Sequence, residues 1–392
     1  MEFDLKTPCY VFDKDKLLNN TKDFQQALNK NFGRGIIGYS VKTNSYPSML
    51  SCLKNIGCFA EVVSYTEYEL ALNIGFNKNQ IVYNGPAKSK KTFLDAIINN
   101  SFVNIDTFRE IEWLKELPQD KTFKIGIRVN LNLLEISPED CKDGEEYSRF
   151  GFSEESGDFA KALDLISSLG NINLVGLHLH RTTKTRNISV YQNIGKYAIH
   201  LVEKYNLELE YLDLGGGYYG DMPGKPTYAN YMDSIADTLK EYFDLSKLTI
   251  IVEPGNALAA SVFNYYSSII DIKYIKDNRI LVSDGSRNDI DPLFHKTSYF
   301  FEVINETTKR DIEEKQVVVG CTCLENDRLF EMERQTKLNV GDVIKYNFVG
   351  AYTMCLSPLF IRYFPRVYKL ENNQHILDRE EWNSLDYLQN NF

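Results

Sequence analysis

The sequence predicts an α/β chain built as a (β/α)8 TIM-type barrel followed by a C-terminal antiparallel, β-barrel-like domain. Three observations carry this. Between Gly35 and Glu253, short β-branched and aromatic runs alternate with longer stretches whose apolar residues recur at helical spacing. After about Leu258 the alternation stops, and strand-like runs follow one another without comparable helices. The chain has 392 residues, 43% of them hydrophobic, enough for a barrel of about 250 residues and a second core.

The barrel strands are expected at Gly35–Val41, Phe59–Val63, Ile81–Asn84, Phe102–Ile105, Phe123–Val129, Asn173–His180, Leu209–Leu214 and Thr249–Glu253. Stretches such as Ser64–Ile74, Thr107–Leu114 and Val190–Tyr205 supply amphipathic helices between them. A doubly wound sheet competes with this reading but more commonly uses about five or six strands. In the second domain, strands are expected at Asn264–Ile275, Ile280–Ser283, Tyr299–Ile304, Gln316–Val319 and Val343–Phe348, with turns at Lys276-Asp277-Asn278 and Val340-Gly341-Asp342. Cys9–Phe12, after Pro8, is read as an edge strand of that domain, and the polar tail after Leu370 as a surface cap. Residues 26–260 then form the barrel, and residues 1–25 with 261–392 the β domain.

Composition narrows the function classes. A net charge of −10 and a pI near 5.2 argue against nucleic acid or an anionic membrane as the main partner. No run approaches the ~18 apolar residues of a membrane span. The acidic start Met1-Glu2-Phe3-Asp4 is not followed by an apolar leader. Seven cysteines, an odd number without a leader, point to free thiols in a reducing, cytoplasmic compartment. Cys321-Thr322-Cys323 lacks zinc spacing and a histidine cluster, so no metal is expected.

Reactive groups of such barrels sit at the C-terminal ends of the strands. Here those ends carry Lys42, Glu61, Asn84, Asp106, Arg128, His180, Gly215–Gly217 and Glu253. Lys42 alone reads as a surface lysine at a strand terminus. Buried, it is an amine suited to Schiff-base chemistry. Gly215-Gly216-Gly217 is either a flexible turn or a backbone cradle for a phosphate; Tyr218 and Tyr219 follow, so no dinucleotide fingerprint completes it. Glu253, before Pro254-Gly255, either caps a turn or holds a ring nitrogen protonated. His178 and His180 lie two apart on one strand, and spacing does not separate them as stacking partners for a flat cofactor.

In this order, the residues resemble the fold-type III pyridoxal-phosphate decarboxylases, the diaminopimelate, ornithine and arginine decarboxylase family. The resemblance runs from Thr7-Pro8 to Gly350-Ala351-Tyr352-Thr353. It implies that Lys42, in Tyr39-Ser40-Val41-Lys42-Thr43-Asn44, holds pyridoxal 5'-phosphate covalently. By the same resemblance His180 stacks on the ring and Glu253 faces its nitrogen. Arg128 lies near its phenolic oxygen. Gly215, Gly216, Gly217, Gly255, Thr183 and Tyr352 hold the phosphate. Gly320-Cys321-Thr322-Cys323-Leu324-Glu325-Asn326-Asp327 is similar to a family segment whose cysteine, here Cys323, returns a proton in the neighbouring subunit's active site. A homodimer with shared sites is thereby implied, as is an amino-acid-like substrate. Lys42, Cys323 and His180 become the catalytic candidates; Arg149, Asp291, Glu325 and Asp327 become the substrate contacts.

Three departures bear on the substrate. Asn256 follows Glu253-Pro254-Gly255 where the family has arginine, so backbone donors or another cation, Arg181 or Lys184, are expected to anchor the phosphate. Leu324 stands where diamine-forming relatives carry an acid. Asp291 stands where the diaminopimelate enzymes carry an arginine for the distal carboxylate, and a free acid there repels that group. The expected reaction is therefore release of CO2 from an amino acid other than diaminopimelate. The alternatives are a pyridoxal-phosphate racemase, which Glu253 argues against, and an inactive cofactor-binding regulator, which the presence of Lys42 and Cys323 argues against.

Overall fold

Parallel strands covered on both faces need continuous apolar runs. Thr249-Ile250-Ile251-Val252 is such a run, and all four residues are buried. The computed structural model describes residues 4–141, 148–183, 185–276, 278–304 and 310–389. They form two compact units, Leu18–Leu258 and Met1–Leu17 with Ala259–Phe392.

The first unit is a closed parallel barrel. Its strands are β2 (Arg34–Ser40), β3 (Phe59–Ser64), β4 (Ile81–Ala87), β5 (Phe102–Ile105), β6 (Phe123–Asn130), β8 (Ile172–His178), β9 (Tyr211–Asp213) and β10 (Thr249–Val252), with the short β7 (Phe152–Ser153) appended to β6. Neighbours pair in the order β5-β4-β3-β2-β10-β9-β8-β6, and pairing of β5 with β6 closes the ring. All eight expected strands are present; β8 ends at His178, so His180 lies beyond it in a loop. Ile36, Val82, Val175, Tyr211 and Ile251 form a buried cluster of this unit. The Tyr211 ring fits because β6 and β8 carry Gly126 and Gly176: a Cβ on either would lie 2.1 Å from Tyr211. Strand-to-helix turns are chemically fixed. Ser64 accepts the Glu67 N–H at 3.1 Å and the Glu67 carboxylate accepts the Val63 N–H at 2.8 Å, locking the chain just past β3.

In the second unit the sheet runs β15 (Arg328–Thr336), β14 (Ile312–Val319), β12 (Asn278–Ser283), β11 (Phe263–Ile275), β1 (Cys9–Asp13), β17 (Arg366–Glu371) and β18 (Gln374–Arg379), while β16 (Val343–Tyr346) pairs with β11 and with β13 (Phe301–Ile304). The sheet is mostly antiparallel, with parallel pairings of β1 with β17 and β12 with β14. Two expectations change. Cys9–Asp13 is an interior strand, bonded on both sides to β11 and β17. The tail is a hairpin, not a cap: β17 and β18 pair around Asn372-Asn373, whose φ values of +51° and +62° are those of a two-residue hairpin turn. Asp277, of the turn expected at 276–278, and Lys184 lie outside the described residues. Among the described residues no helix is long and apolar enough to cross a membrane.

Candidate active site

Lys42 sits in a single 3-10 turn, Val41–Thr43, directly after β2. The turn is pinned beneath by the buried Tyr39, whose hydroxyl donates to the Asn44 carbonyl at 3.0 Å. Lys42 Nζ donates to Glu61 Oε2 at 2.7 Å and to Ser40 Oγ at 2.6 Å, and Ser40 Oγ donates to the same Glu61 oxygen at 2.6 Å. Glu61, on β3, is 1% exposed; its charge is held by these donors and by Asn84 of β4, whose Nδ2 reaches Glu61 Oε1 at 3.1 Å.

Asn84 Nδ2 also donates to Glu253 Oε1 at 2.5 Å. Glu253 follows β10, and His178 Nε2 lies 3.6 Å from its other oxygen, an electrostatic contact too long for a hydrogen bond. Burial pushes the Glu253 carboxyl up, but the neighbouring His178 side chain and the Lys42 ammonium outweigh it and hold the group below the usual carboxylate range. Asp213, within 4.8 Å of both His178 and Glu253, is driven the other way, by burial and then by Glu253. The pair therefore divides its charge: Glu253 ionised, Asp213 protonated.

His180 is fixed by the glycine turn after β9. Gly216 N–H donates to His180 Nδ1 at 3.1 Å, which makes that nitrogen an acceptor and leaves any proton on Nε2. Burial, opposed by Glu253 and reinforced by Arg128, His178 and Lys42, lowers the His180 pKa to about 3. Gly215 has φ +64°, and a Cβ there would lie 2.3 Å from His180 Nδ1; one on Gly216 would lie 2.3 Å from the Glu253 carbonyl oxygen. Across the mouth, Arg128 lies 4.5 Å above the Phe150 ring and 3.8 Å from Asp106. A cavity of about 760 Å³ opens among these groups, and Lys42, Glu61, Asn84, Arg128, His180 and Glu253 all line it.

Each of the other expected residues has its own surroundings within its unit. Arg149 is exposed at the cavity rim, 4.4 Å from the Phe150 ring. Thr183 Oγ1 accepts the Arg186 N–H at 3.0 Å in the loop after His180. In the β unit, Cys323, Glu325 and Tyr352 are exposed, Tyr352 with φ +55°. Asp291 and Asp327 are not free acids. Asp291 accepts from Arg287 Nη2 at 2.8 Å and Nε at 3.0 Å, from the His295 and Lys296 N–H groups and from Tyr299. Asp327 accepts from Ser286, Thr322 and the Arg287 N–H, and so closes the 320–327 turn. Both acids are thus engaged within the β unit: Arg287 matches the Asp291 charge, and Asp327 holds its own turn.

Four contributors carry no assigned role in the sequence. Glu61 and Asn84 stand at strand ends; Asn104 and Asp213 do not stand out. Asn104 is a polar residue inside the apolar run Phe102–Ile105, and such a residue in a strand buried on both faces is the signal that would have found it.

The pyridoxal-dependent decarboxylase model for the pyridoxal binding domain matches residues 16–260. This chain belongs to that family. It is 28% identical over 374 residues to the diaminopimelate decarboxylase of Methanocaldococcus jannaschii, covering 90% of this chain and 83% of the relative. It is 26% identical to the probable chloroplastic diaminopimelate decarboxylase of Oryza sativa subsp. japonica, over 97% and 78% of the two chains. The crystal structure of the M. jannaschii diaminopimelate decarboxylase in complex with L-lysine superposes with a TM-score of 0.85 at 26% identity, covering 98% of this chain and 92% of that one.

The decarboxylase family's cofactor is pyridoxal phosphate, and the cavity fits it. Lys42 offers an amine, Glu253 an ionised carboxylate and His180 a neutral flat ring, all on one cavity. Gly217, with φ +94°, and Gly255, which Thr43 and Ser40 crowd too closely for a Cβ, are turn residues whose backbone a phosphate could approach. Arg128 Nε is likewise buried without a hydrogen-bond partner among the described residues. The enzyme is a pyridoxal-phosphate-dependent amino-acid decarboxylase.

Proposed function

We propose that this decarboxylase releases CO2 from an α-amino acid bearing a second polar group at its far end, and that diaminopimelate is the first substrate to test. The observation that carries the reading is the Lys42 amine and the ionised Glu253 carboxylate facing one cavity beside the neutral His180 ring.

The expectation against diaminopimelate has no support. It rested on Asp291 as a free acid, and Arg287 matches that charge at 2.8 Å. The relatives named above are diaminopimelate decarboxylases, which favours that substrate further.

Bound pyridoxal phosphate supplies the sink for the electron pair left when CO2 departs. Lys42 Nζ exchanges its proton against Glu61 Oε2. Glu253 would face the ring nitrogen with an ionised oxygen, His180 would lie against the ring as a neutral imidazole, and the Gly217 and Gly255 N–H groups would hold the phosphate. Arg149, at the rim, is the cation for an anionic end of the substrate. Cys323 of the partner subunit returns the proton, in a homodimer with shared sites.

CO2 release from meso-diaminopimelate, lysine, ornithine and arginine tests the reaction. Release from one of them supports the reading; loss of optical activity without CO2 replaces it with racemisation, and neither replaces it with a regulatory role. Mixing Lys42→Ala with Cys323→Ala tests the shared site. Recovered activity supports it, and none sinks it.

A further inference from the structure

Two carboxylates that line the Lys42 cavity, Glu61 and Glu253, are joined through one side chain. Asn84 is 1% exposed, and its single amide nitrogen donates to Glu61 Oε1 at 3.1 Å and to Glu253 Oε1 at 2.5 Å. Both of its N–H bonds are used, one for each acid. An amide nitrogen does not accept, so the oxygen that faces it on each glutamate carries no proton.

The direction of the amide is not arbitrary. Tyr211 OH donates to Asn104 Oδ1 at 2.8 Å, which turns Asn104 Nδ2 toward Asn84 Oδ1, again at 2.8 Å, and toward Asp213 Oδ2 at 3.4 Å. Asn84 Oδ1 is thereby occupied as an acceptor, and its nitrogen faces the acids. Burial keeps the Tyr211 hydroxyl protonated, so the first donor in the series is not lost near neutral pH. The carboxylates, which only accept, and the Tyr211 hydroxyl, which donates at the far end, are served by one direction of bonding through the two amides.

We propose that Asn84 is a positioning residue of this decarboxylase, holding Glu61 against Lys42 and Glu253 toward the cofactor ring, both as hydrogen-bond acceptors. This rests on the reading that the cofactor occupies the cavity at Lys42. The titratable groups that face the two acids are Lys42, Glu67, His178, His180 and Asp213. Two of them, His178 and Asp213, cannot take over from Asn84. His178 lies at 3.6 Å, beyond hydrogen-bond reach, and the two Asp213 oxygens are taken by the Gly215 N–H and by Asn104 Nδ2.

The test is the visible absorbance band of bound pyridoxal phosphate, titrated with pH, together with cofactor retention, in wild type, Asn84→Ala and the isosteric Asn84→Asp. In Asn84→Ala two buried carboxylates lose a donor and take up protons more readily, so the band titrates about one unit or more higher in pH. Cofactor retention weakens about tenfold, in line with loss of hydrogen bonds to charged groups. In Asn84→Asp retention is poor near neutrality and partly recovers at acid pH, where a proton on the new carboxyl stands in for one N–H. Circular dichroism confirms that each variant is folded. If both variants melt at lower temperature yet keep the wild-type titration and retention, Asn84 is a packing residue and the proposal is overturned. A wild type without a lysine-bound band overturns it together with the reading on which it rests.

Discussion

Lys42 and Glu61 form an ion pair of 2.7 Å in which the acid is 1% and the lysine 37% exposed. The amine therefore reaches the cavity while its counter-charge stays inside the barrel wall. This asymmetry lets a lysine approach a cofactor and keep a fixed proton acceptor behind it. Glu61→Ala removes that acceptor and leaves Nζ bonded to Ser40 Oγ. CO2 release is expected to fall about a hundredfold, the scale of a lost proton-transfer partner, with the cofactor still attached through Lys42. Wild-type turnover in that variant would show that the ion pair is only structural.

The His180 charge state makes stability depend on pH with a definite sign. Its pKa is lowered to about 3 in the folded chain, against about 6.5 for an unperturbed histidine. Between these values the unfolded chain binds the extra proton, so stability is full above about pH 6.5 and is lost progressively as pH falls toward 3. At pH 5 the loss is about 2 kcal/mol. Thermal melts of the cofactor-free protein from neutral pH to pH 5 check this. Wild type is expected to lose more stability across that range than His180→Phe, which has no proton to bind.

Much of this site is legible in the sequence because parallel strands advertise themselves. Each barrel strand is an apolar run, and the polar residue that ends it points to the mouth; Lys42, Arg128 and Glu253 stand out that way. Pairing across distance stays hidden. Asn84 and Glu253 are 169 positions apart in sequence, and nothing local to either announces the bond between them. Asp291 misleads for the opposite reason. Its partner Arg287 stands four residues earlier, a spacing at which a short helix brings side chains together, so the pairing is written in the sequence itself. Strand β15, Arg328–Thr336, is illegible because most of its side chains face solvent and are polar or charged, leaving no regular apolar alternation to read.

The glycine turn after β9 yields a steric prediction. Gly215 has φ +64°, and its missing side chain makes room for His180 Nδ1 at 2.3 Å from where a Cβ would sit. Gly215→Ala must strain the backbone by about 1–2 kcal/mol and also push the imidazole off the cavity wall. Cofactor retention, followed by absorbance after dialysis, is expected to drop while Lys42 remains competent to react with added pyridoxal phosphate. Retention equal to wild type would mean that His180 does not support the ring.

A buried charge pair away from the cavity contributes to the barrel itself. Lys88 and Glu110 are fully buried at 3.2 Å; Lys88 also donates to the carbonyls of Gly85 and Asn104, and Glu110 accepts the Asp106 N–H. Burial pulls the Lys88 pKa down and pushes that of Glu110 up, each against the attraction of its partner. Pairing repays the desolvation of both charges only while both are present. Lys88→Met strands a carboxylate in the protein interior and leaves two carbonyls without their donor, at a cost of about 3–5 kcal/mol. Adding Glu110→Gln removes the stranded charge and keeps an acceptor for Asp106. The double variant is therefore expected to be more stable than Lys88→Met alone, and urea denaturation of wild type, both single variants and the double variant measures the coupling. Additive losses would show that the two charges do not depend on each other. A positive coupling would locate the stabilisation in the pair and not in either side chain's packing, because Met fills most of the volume that Lys88 leaves.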